Sequence, residues 1–155
     1  MIASLIFVLA LAGLGDALYF TFAYYGRIKK ARWVPEILCA REGSSCVTVV
    51  ETRYARVFRV PNSLLGIVFY VAVASWTLTE RIVHARWLAW ALIAASAVAV
   101  TLGFYLIYAL RRILHTDCPL CYTAHAINAA LLVLLILRTH WNAIGWLVTR
   151  QFCIN

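Results

Sequence analysis

Residues 117–128 read Asp117-Cys118-Pro119-Leu120-Cys121-Tyr122-Thr123-Ala124-His125-Ala126-Ile127-Asn128 and lead into a long apolar run. Pro119 suits the first turn of a helix, because its missing N–H has no partner to lose there, and Thr116 or Asp117 is the expected N-cap. We therefore predict a helix over residues 119–137, long enough to cross a membrane, with a Cys-x-x-Cys pair at its start. Two thiols at a helix N-terminus are stabilised as thiolates, which indicates redox chemistry.

One face of this predicted helix carries a descending row of polar side chains. Cys118, Cys121, His125 and Asn128 follow the i, i+3, i+7, i+10 spacing of residues that share a side. An isolated His on an apolar helix is more often a bundle residue, and His125 stands out because it lies one turn below Cys121. For Asn128 we predict a hydrogen bond between helices. Asn62 begins another span on the same side, so these polar groups together can bind the carbonyl oxygens of a quinone.

The composition predicts an integral membrane protein. Of the 155 residues, 65% are hydrophobic and only 13% are charged, far from the average of soluble proteins. The 14 Lys and Arg residues outnumber the 6 Asp and Glu residues. Because these basic residues stand between apolar runs, we expect them to set topology and contact anionic lipid rather than nucleic acid.

The apolar runs predict an all-α fold with four membrane spans in a single domain, residues 1–155. The spans cover residues 2–25, 62–79, 87–108 and 119–137. The tail, residues 138–155, contains two Trp residues and is predicted to lie at the membrane interface. Asp16 lies inside the first span, and we expect it to face the bundle and bond to a neighbouring helix.

The long polar segment, residues 26–60, contains a second pair of thiols, Cys39 and Cys46. The six residues between them include a Gly-Ser-Ser turn, so a disulfide loop can close. In residues 47–60, arginines alternate with apolar residues at helical spacing. This pattern predicts a short amphipathic helix on the membrane surface.

Counting membrane crossings brings the two cysteine pairs to the same side of the membrane. A zinc site formed by the pairs is disfavoured, because the Cys39/Cys46 spacing is loose for a zinc half-site. Two purely structural disulfides remain an alternative. However, a disulfide between Cys118 and Cys121 closes almost no loop and would contribute little stability. Cys153 has no evident partner, and we interpret it as incidental.

The sequence resembles the vitamin K epoxide reductase family. The resemblance rests on the stretch 117–128, on Pro-Asn-Ser-Leu-Leu-Gly at 61–66 and on the preceding loop pair of cysteines, and it covers residues 13–137. It implies a four-helix bundle around a quinone pocket, with a capping loop and a short interfacial half-helix between the first two spans.

The resemblance also implies a role for each cysteine. Cys121 would face the quinone, and Cys118 would be its disulfide partner. Cys46 would pass electrons to Cys118, and Cys39 would take them from an external dithiol protein.

Three further positions of the family pattern can be identified. Asn62 matches the Asn that hydrogen-bonds the quinone, which is of ubiquinone or menaquinone type. Thr52 stands where the family usually has a Ser near the redox cysteines, and it keeps the hydroxyl. His125 departs from the family's usual Tyr, although a His also donates hydrogen bonds to a quinone oxygen. Since many microbial members carry a fused thioredoxin-like domain and this chain ends at Asn155, a separate thioredoxin-fold partner is expected.

The basic residues predict the orientation. Ten lie on the cysteine-bearing face and four on the other: Arg27, Lys29, Lys30, Arg32, Arg41, Arg53, Arg56, Arg59, Arg111 and Arg112 against Arg81, Arg86, Arg138 and Arg150. The bias predicts that the cysteines face the cytoplasm. This is inverted relative to the usual extracytoplasmic site of disulfide formation, with hyperthermophiles as the exception.

These features together predict a membrane thiol oxidoreductase that forms protein disulfides and reduces a quinone. The first alternative is reduction of vitamin K epoxide or quinone by a protein dithiol through the same cysteines. The second is a non-catalytic membrane protein with structural disulfides or a bound metal.

Overall fold

The computed structural model describes residues 1–25, 52, 54, 56–57, 60–79, 86–115 and 118–152, with side chains as far as Trp141 apart from that of Val57. The described elements, in chain order, are α1 (Ile2–Tyr24), β1 (Arg56–Val57), β2 (Val60–Pro61), α2 (Asn62–Thr79), α3 (Arg86–Ala109), a π-helical turn (Leu110–Leu114) and α4 (Pro119–Phe152).

Four of these helical segments are long and apolar enough to cross a membrane. They are Ile2–Tyr24, Asn62–Thr79, Arg86–Leu114 and Pro119–Trp141. Their apolar side chains are compatible with the hydrocarbon interior of a membrane. Their backbone hydrogen bonds are made within each helix, as that interior requires. The predicted all-α fold with four spans is confirmed.

The helices associate in two main pairs, α1 with α2 and α3 with α4, and α1 also packs on α4. Small residues bring the first pair close together. A Cβ added to Gly66 of α2 would lie 3.4 Å from the Cβ of Ala17 in α1, and a Cβ at Gly13 would overlap the ring of Tyr70. In lipid, such close backbone contact replaces the hydrophobic effect as the main source of helix association.

The buried residues form two clusters. The larger one fills the half of the bundle away from the Cys-x-x-Cys pair: Ile6, Ala10, Ala17, Tyr70, Val73, Trp76, Ala89, Leu92, Leu131 and Leu135. The smaller one consists of Phe20, Leu110 and Cys118. We call these the distal core and the disulfide cluster.

Helix α3 extends further than predicted. The predicted span ends at residue 108, but the helix continues through Ala109 and the π-helical turn Leu110–Leu114. His115 caps this turn with a left-handed φ of 49°. The turn contains two arginines, Arg111 and Arg112. They are favourable here because cations interact well with the C-terminal end of a helix dipole.

Helix α4 also continues past the predicted end at Leu137, as one helix to Phe152. Arg138 is the first residue beyond the predicted end, and its guanidinium lies 5.1 Å from the ring centre of Trp76 and makes a cation–π contact. No proline interrupts the sequence beyond it, so the helical backbone has no reason to stop there.

The short helix predicted over residues 47–60 is wrong at its C-terminal end. Arg56 pairs with Pro61 and Val57 with Val60 in a small antiparallel ladder. Alternating arginines and apolar residues fit a helix or a strand equally well over so short a run, and β-branched valines favour the strand. Residues 47–51 lie outside the described part of the chain.

Candidate redox and ligand site

The start of α4 holds a disulfide between Cys118 and Cys121, whose Cα atoms are 5.3 Å apart. Cys118 precedes the first helical residue, Pro119, while the expected caps, Thr116 and Asp117, lie outside the described residues. The carbonyl oxygen of Cys118 accepts the Tyr122 N–H at 3.2 Å, and its Sγ accepts the Cys121 N–H at 3.3 Å. Pro119 occupies the first helical position as predicted.

The two sulfurs of this disulfide have different surroundings. Cys118 is fully buried together with Phe20 and Leu110 in the disulfide cluster. Cys121 is only half-buried and lies on the wall of a cavity. The Cys-x-x-Cys pair therefore has one sulfur covered by protein and one that faces an internal space.

This cavity has a volume of about 120 Å³ and lies among α1, α2, α3 and α4. It is lined by Phe20, Tyr54, Pro61, Asn62, Ser63, Leu106, Leu110, Cys121, Ala124 and His125. Three of the predicted site residues, Cys121, Asn62 and His125, thus share one cavity although they come from two distant parts of the sequence.

The polar side chains of the cavity are held by the ends of α2 and α4. Asn62 starts α2, and its Nδ2 donates a hydrogen bond to the carbonyl oxygen of Tyr54 at 3.3 Å. Next to it, Ser63 has a buried hydroxyl oxygen with no hydrogen-bond partner among the described residues. A buried hydroxyl without a partner is costly, so this one is available to a ligand.

Aromatic and arginine side chains surround the same end of the bundle. The Arg111 guanidinium lies 5.6 Å from the ring centre of Tyr122, and its Nε donates to the Tyr122 hydroxyl at 3.3 Å. Arg56 lies 5.4 Å from the ring centre of Tyr24. Tyr24 and Tyr122 pack against the disulfide cluster, so these contacts put positive charge at the same end of the bundle as the disulfide.

Three polar residues, Tyr70, Asn128 and Asp16, lie deeper in the bundle. The hydroxyl of Tyr70 donates to Oδ1 of Asn128 at 2.8 Å, which confirms the predicted hydrogen bond between helices. Oδ1 of Asp16 is buried, as expected for a residue that faces the bundle, but it has no hydrogen-bond partner among the described residues.

The remaining predicted site residues lie elsewhere. Cys39, Cys46 and Cys153 lie outside the described residues. Thr52 is half-buried and is not part of the cavity wall. Within the described ranges, no three His, Cys, Asp or Glu side chains are grouped as a metal site would require.

Several residues that line the cavity were not predicted from the sequence, notably Phe20, Ser63, Leu106 and Leu110. Ser63 had one signal, its position next to Asn62. The others are apolar residues within apolar helices, and their sequence gives no indication that they face a cavity.

Comparison with known proteins identifies the family. The model of the vitamin K epoxide reductase family matches residues 4–136. The chain is also 30% identical over 140 residues to the vitamin K epoxide reductase complex subunit 1 of Rattus norvegicus, an alignment that covers 81% of this chain and 83% of the rat protein. With its four spans and the disulfide at the start of α4, the chain belongs to the vitamin K epoxide reductase family.

Proposed function

We propose that this protein is a membrane thiol oxidoreductase that generates protein disulfides and delivers the electrons to a quinone. Membership of the family supports a membrane redox enzyme that acts on thiols and quinones. The observation that carries the proposal is the position of Cys121. One sulfur of a Cys118–Cys121 disulfide lies on the wall of a cavity that also contains Asn62 and His125.

The cavity residues fit a quinone. Phe20, Leu106 and Leu110 offer apolar surface to a flat ring, while Asn62 and the unpartnered hydroxyl of Ser63 offer polar groups to its oxygens. When bound, the quinone, of ubiquinone or menaquinone type, supplies an acceptor for two electrons and two protons.

Electrons reach the disulfide by thiol–disulfide exchange. A separate thioredoxin-fold protein is the proposed donor, and it reduces a Cys39–Cys46 disulfide to two thiols. The Cys46 thiolate attacks Sγ of Cys118, so that a Cys46–Cys118 bond forms, the Cys118–Cys121 bond breaks and Cys121 leaves as a thiolate. Cys39 then attacks Cys46, which re-forms the loop disulfide and releases Cys118.

The dithiol of Cys118 and Cys121 returns to the disulfide by giving two electrons to the acceptor in the cavity. The two protons taken up there balance those released by the partner's thiols. In the reduced state, the Cys121 N–H and the N-terminus of α4 stabilise negative charge on Cys118. Thr52 is proposed to support the cysteines from outside the cavity.

The test is to assay the purified full-length protein in lipid nanodiscs with reduced thioredoxin and a short-tail ubiquinone or menaquinone. We expect quinol and oxidised thioredoxin to form in equal amounts. Cys121→Ser should reduce both to background, whereas Cys153→Ser should not change them. If Cys121→Ser forms quinol as fast as the unmodified protein, the proposal is wrong.

The name of the rat relative supports a second candidate, reduction of vitamin K epoxide by a protein dithiol. The same cysteines would serve, and the acceptor would be the epoxide instead of the quinone. Replacing the quinone by the epoxide in the same assay separates the two activities.

For the orientation, we propose that the cysteine-bearing side faces the cytoplasm. The support is the excess of ten basic residues over four between the two sides. A reporter enzyme that is active only outside the cytoplasm, inserted between Cys39 and Cys46, should give no signal. The same reporter inserted between residues 80 and 85 should be active, and the reverse result would contradict the assignment.

A further inference from the structure

The imidazole of His125 lies directly against a glycine of the neighbouring helix. Gly103 of α3 is buried, and a Cβ added to it would lie 2.7 Å from Nδ1 of His125 and 3.2 Å from its Cγ. Such distances are too short for a carbon atom, so any side chain at position 103 would force the ring to move. The absence of a side chain at Gly103 therefore leaves the space that the ring occupies.

The contact also distinguishes the two nitrogens of the ring. Nδ1 is buried and has no hydrogen-bond partner among the described residues. A buried N–H without an acceptor is less tolerable than an unused lone pair. We therefore assign the proton of the neutral ring to Nε2, with the lone pair of Nδ1 facing α3.

The ring nitrogens point in widely different directions, so Nε2 points away from Gly103. His125 lines the same cavity as Cys121. The side chain thus offers one hydrogen-bond donor, the Nε2–H, to a ligand in the cavity, and it offers no acceptor there.

We propose that Gly103 is a positioning residue that holds His125 as an Nε2–H donor toward a carbonyl oxygen of the bound quinone. This inference rests on the proposed function, since it names the residue that orients one of the proposed quinone contacts. It makes the cavity selective for ligands that present an oxygen acceptor at this position over ligands that present a donor.

The first test measures the KM for a short-tail ubiquinone with dithiothreitol as the reductant. Gly103→Ala should raise KM by about tenfold or more, the effect of one lost hydrogen bond. Gly15→Ala is the matched control, because an added Cβ there meets no atom within 4 Å, and it should leave KM unchanged.

Two substitutions of His125 separate the donor from mere packing. The amide nitrogen of Gln reaches the position of Nε2, whereas that of Asn reaches only the position of Nδ1. His125→Gln should keep KM within about threefold of the unmodified value, and His125→Asn should raise it by about tenfold or more. Because the Gln side chain is flexible, Gly103→Ala should have little further effect in the His125→Gln background. Equal effects of Gln and Asn, or an undiminished effect of Gly103→Ala in that background, would overturn the proposal.

The ring can also be observed without any turnover. In protein labelled with ¹⁵N-histidine, the signals lost in His125→Gln identify this residue among the four His of the chain. We expect a deprotonated Nδ1 and a protonated Nε2, and a change of both signals in Gly103→Ala. A protonated Nδ1 would overturn the inference even if the quinone is reduced. The expected signals without quinone reduction would instead contradict the proposed function and leave the assignment of the ring intact.

Discussion

The distal core and the disulfide end of the bundle are built from the same four helices, yet their interiors differ. In the distal core, Ile6, Val73, Leu131 and Leu135 are completely buried apolar side chains. At the disulfide end, the buried cluster is small, and a cavity of about 120 Å³ separates the helices. Ser63, whose buried hydroxyl has no hydrogen-bond partner among the described residues, lines that cavity.

This difference suggests a division of roles. A closely packed interior stabilises the bundle but leaves no room for a ligand. A cavity with unsatisfied polar groups lowers stability and persists where it serves a function. Substitutions in the distal core should therefore change stability alone, and substitutions at the disulfide end should change ligand binding more than stability.

The largest effect on stability is expected for Leu135→Ala in the distal core. It removes a fully buried side chain and should lower the free energy of unfolding by about 2–3 kcal/mol, the low part of the Leu→Ala range, because unfolded membrane helices remain in lipid. Denaturation by SDS, followed by circular dichroism, measures the change. Leu137→Ala is the control, since Leu137 is 52% exposed on the same helix. If both substitutions lower the free energy of unfolding equally, Leu135 is not buried in the distal core.

Gly13→Ala should have the next largest effect. The added Cβ would overlap the ring of Tyr70, so α1 and α2 must separate or the ring must turn away from Asn128. Overpacking of this kind costs about 1–3 kcal/mol. Thermal unfolding in detergent should show a lower midpoint for Gly13→Ala. The midpoint should be unchanged for Gly15→Ala, which adds a Cβ in open space. An unchanged midpoint for Gly13→Ala would mean that the two helices are not in close contact here.

Asn62→Ala tests the opposite end. Asn62 lines the cavity and donates to the Tyr54 carbonyl oxygen at 3.3 Å. Loss of one hydrogen bond to a bound quinone should raise KM by about tenfold, which corresponds to about 1.4 kcal/mol. Leu135→Ala should leave KM unchanged under conditions where it remains folded. If both variants change KM alike, the two regions are not functionally separate.

The smallest effect is expected for Tyr70→Phe, which removes only the hydrogen bond to Asn128. Hydrogen bonds between membrane helices contribute about 0.6 kcal/mol on average, because the unfolded helices find other partners in the membrane. Tyr105→Phe is the control, since Tyr105 is 54% exposed. A loss well above this value, measured by the same SDS denaturation, would show that Asn128 organises the bundle rather than merely joining two helices.

The antiparallel ladder of β1 and β2 and the ends of two helices show where local sequence patterns gave wrong predictions. Residues 56–61 carry an arginine pattern that fits a helix, but Val57 and Val60 pair as strands. Arg111 and Arg138 lie beyond the predicted ends of the third and fourth spans, yet both lie within helical structure and contact the aromatic rings of Tyr122 and Trp76. Each of these arginines therefore lies within a helix while its side chain contacts an aromatic ring of another helix.

Features that depend on one helix at a time could be predicted. Hydropathy predicts four spans, Pro119 predicts the start of α4, and the spacing of Cys121 and His125 puts them on one face. The interhelical role of Asn128 also followed, because an amide in lipid needs a partner.

The faces by which the helices contact one another could not be predicted from the sequence and are known from the packing of the bundle. A helix in lipid is apolar on all sides, so its pattern of hydrophobic residues does not identify the face that turns inward. Three features depend on which face turns inward. They are the contact of Gly103 with His125, the position of Phe20 and Leu106 on the cavity wall, and the deeper burial of Cys118 than of Cys121. The inward face is set by small residues that allow close packing and by polar groups that need partners. Both act between helices that are distant in the sequence.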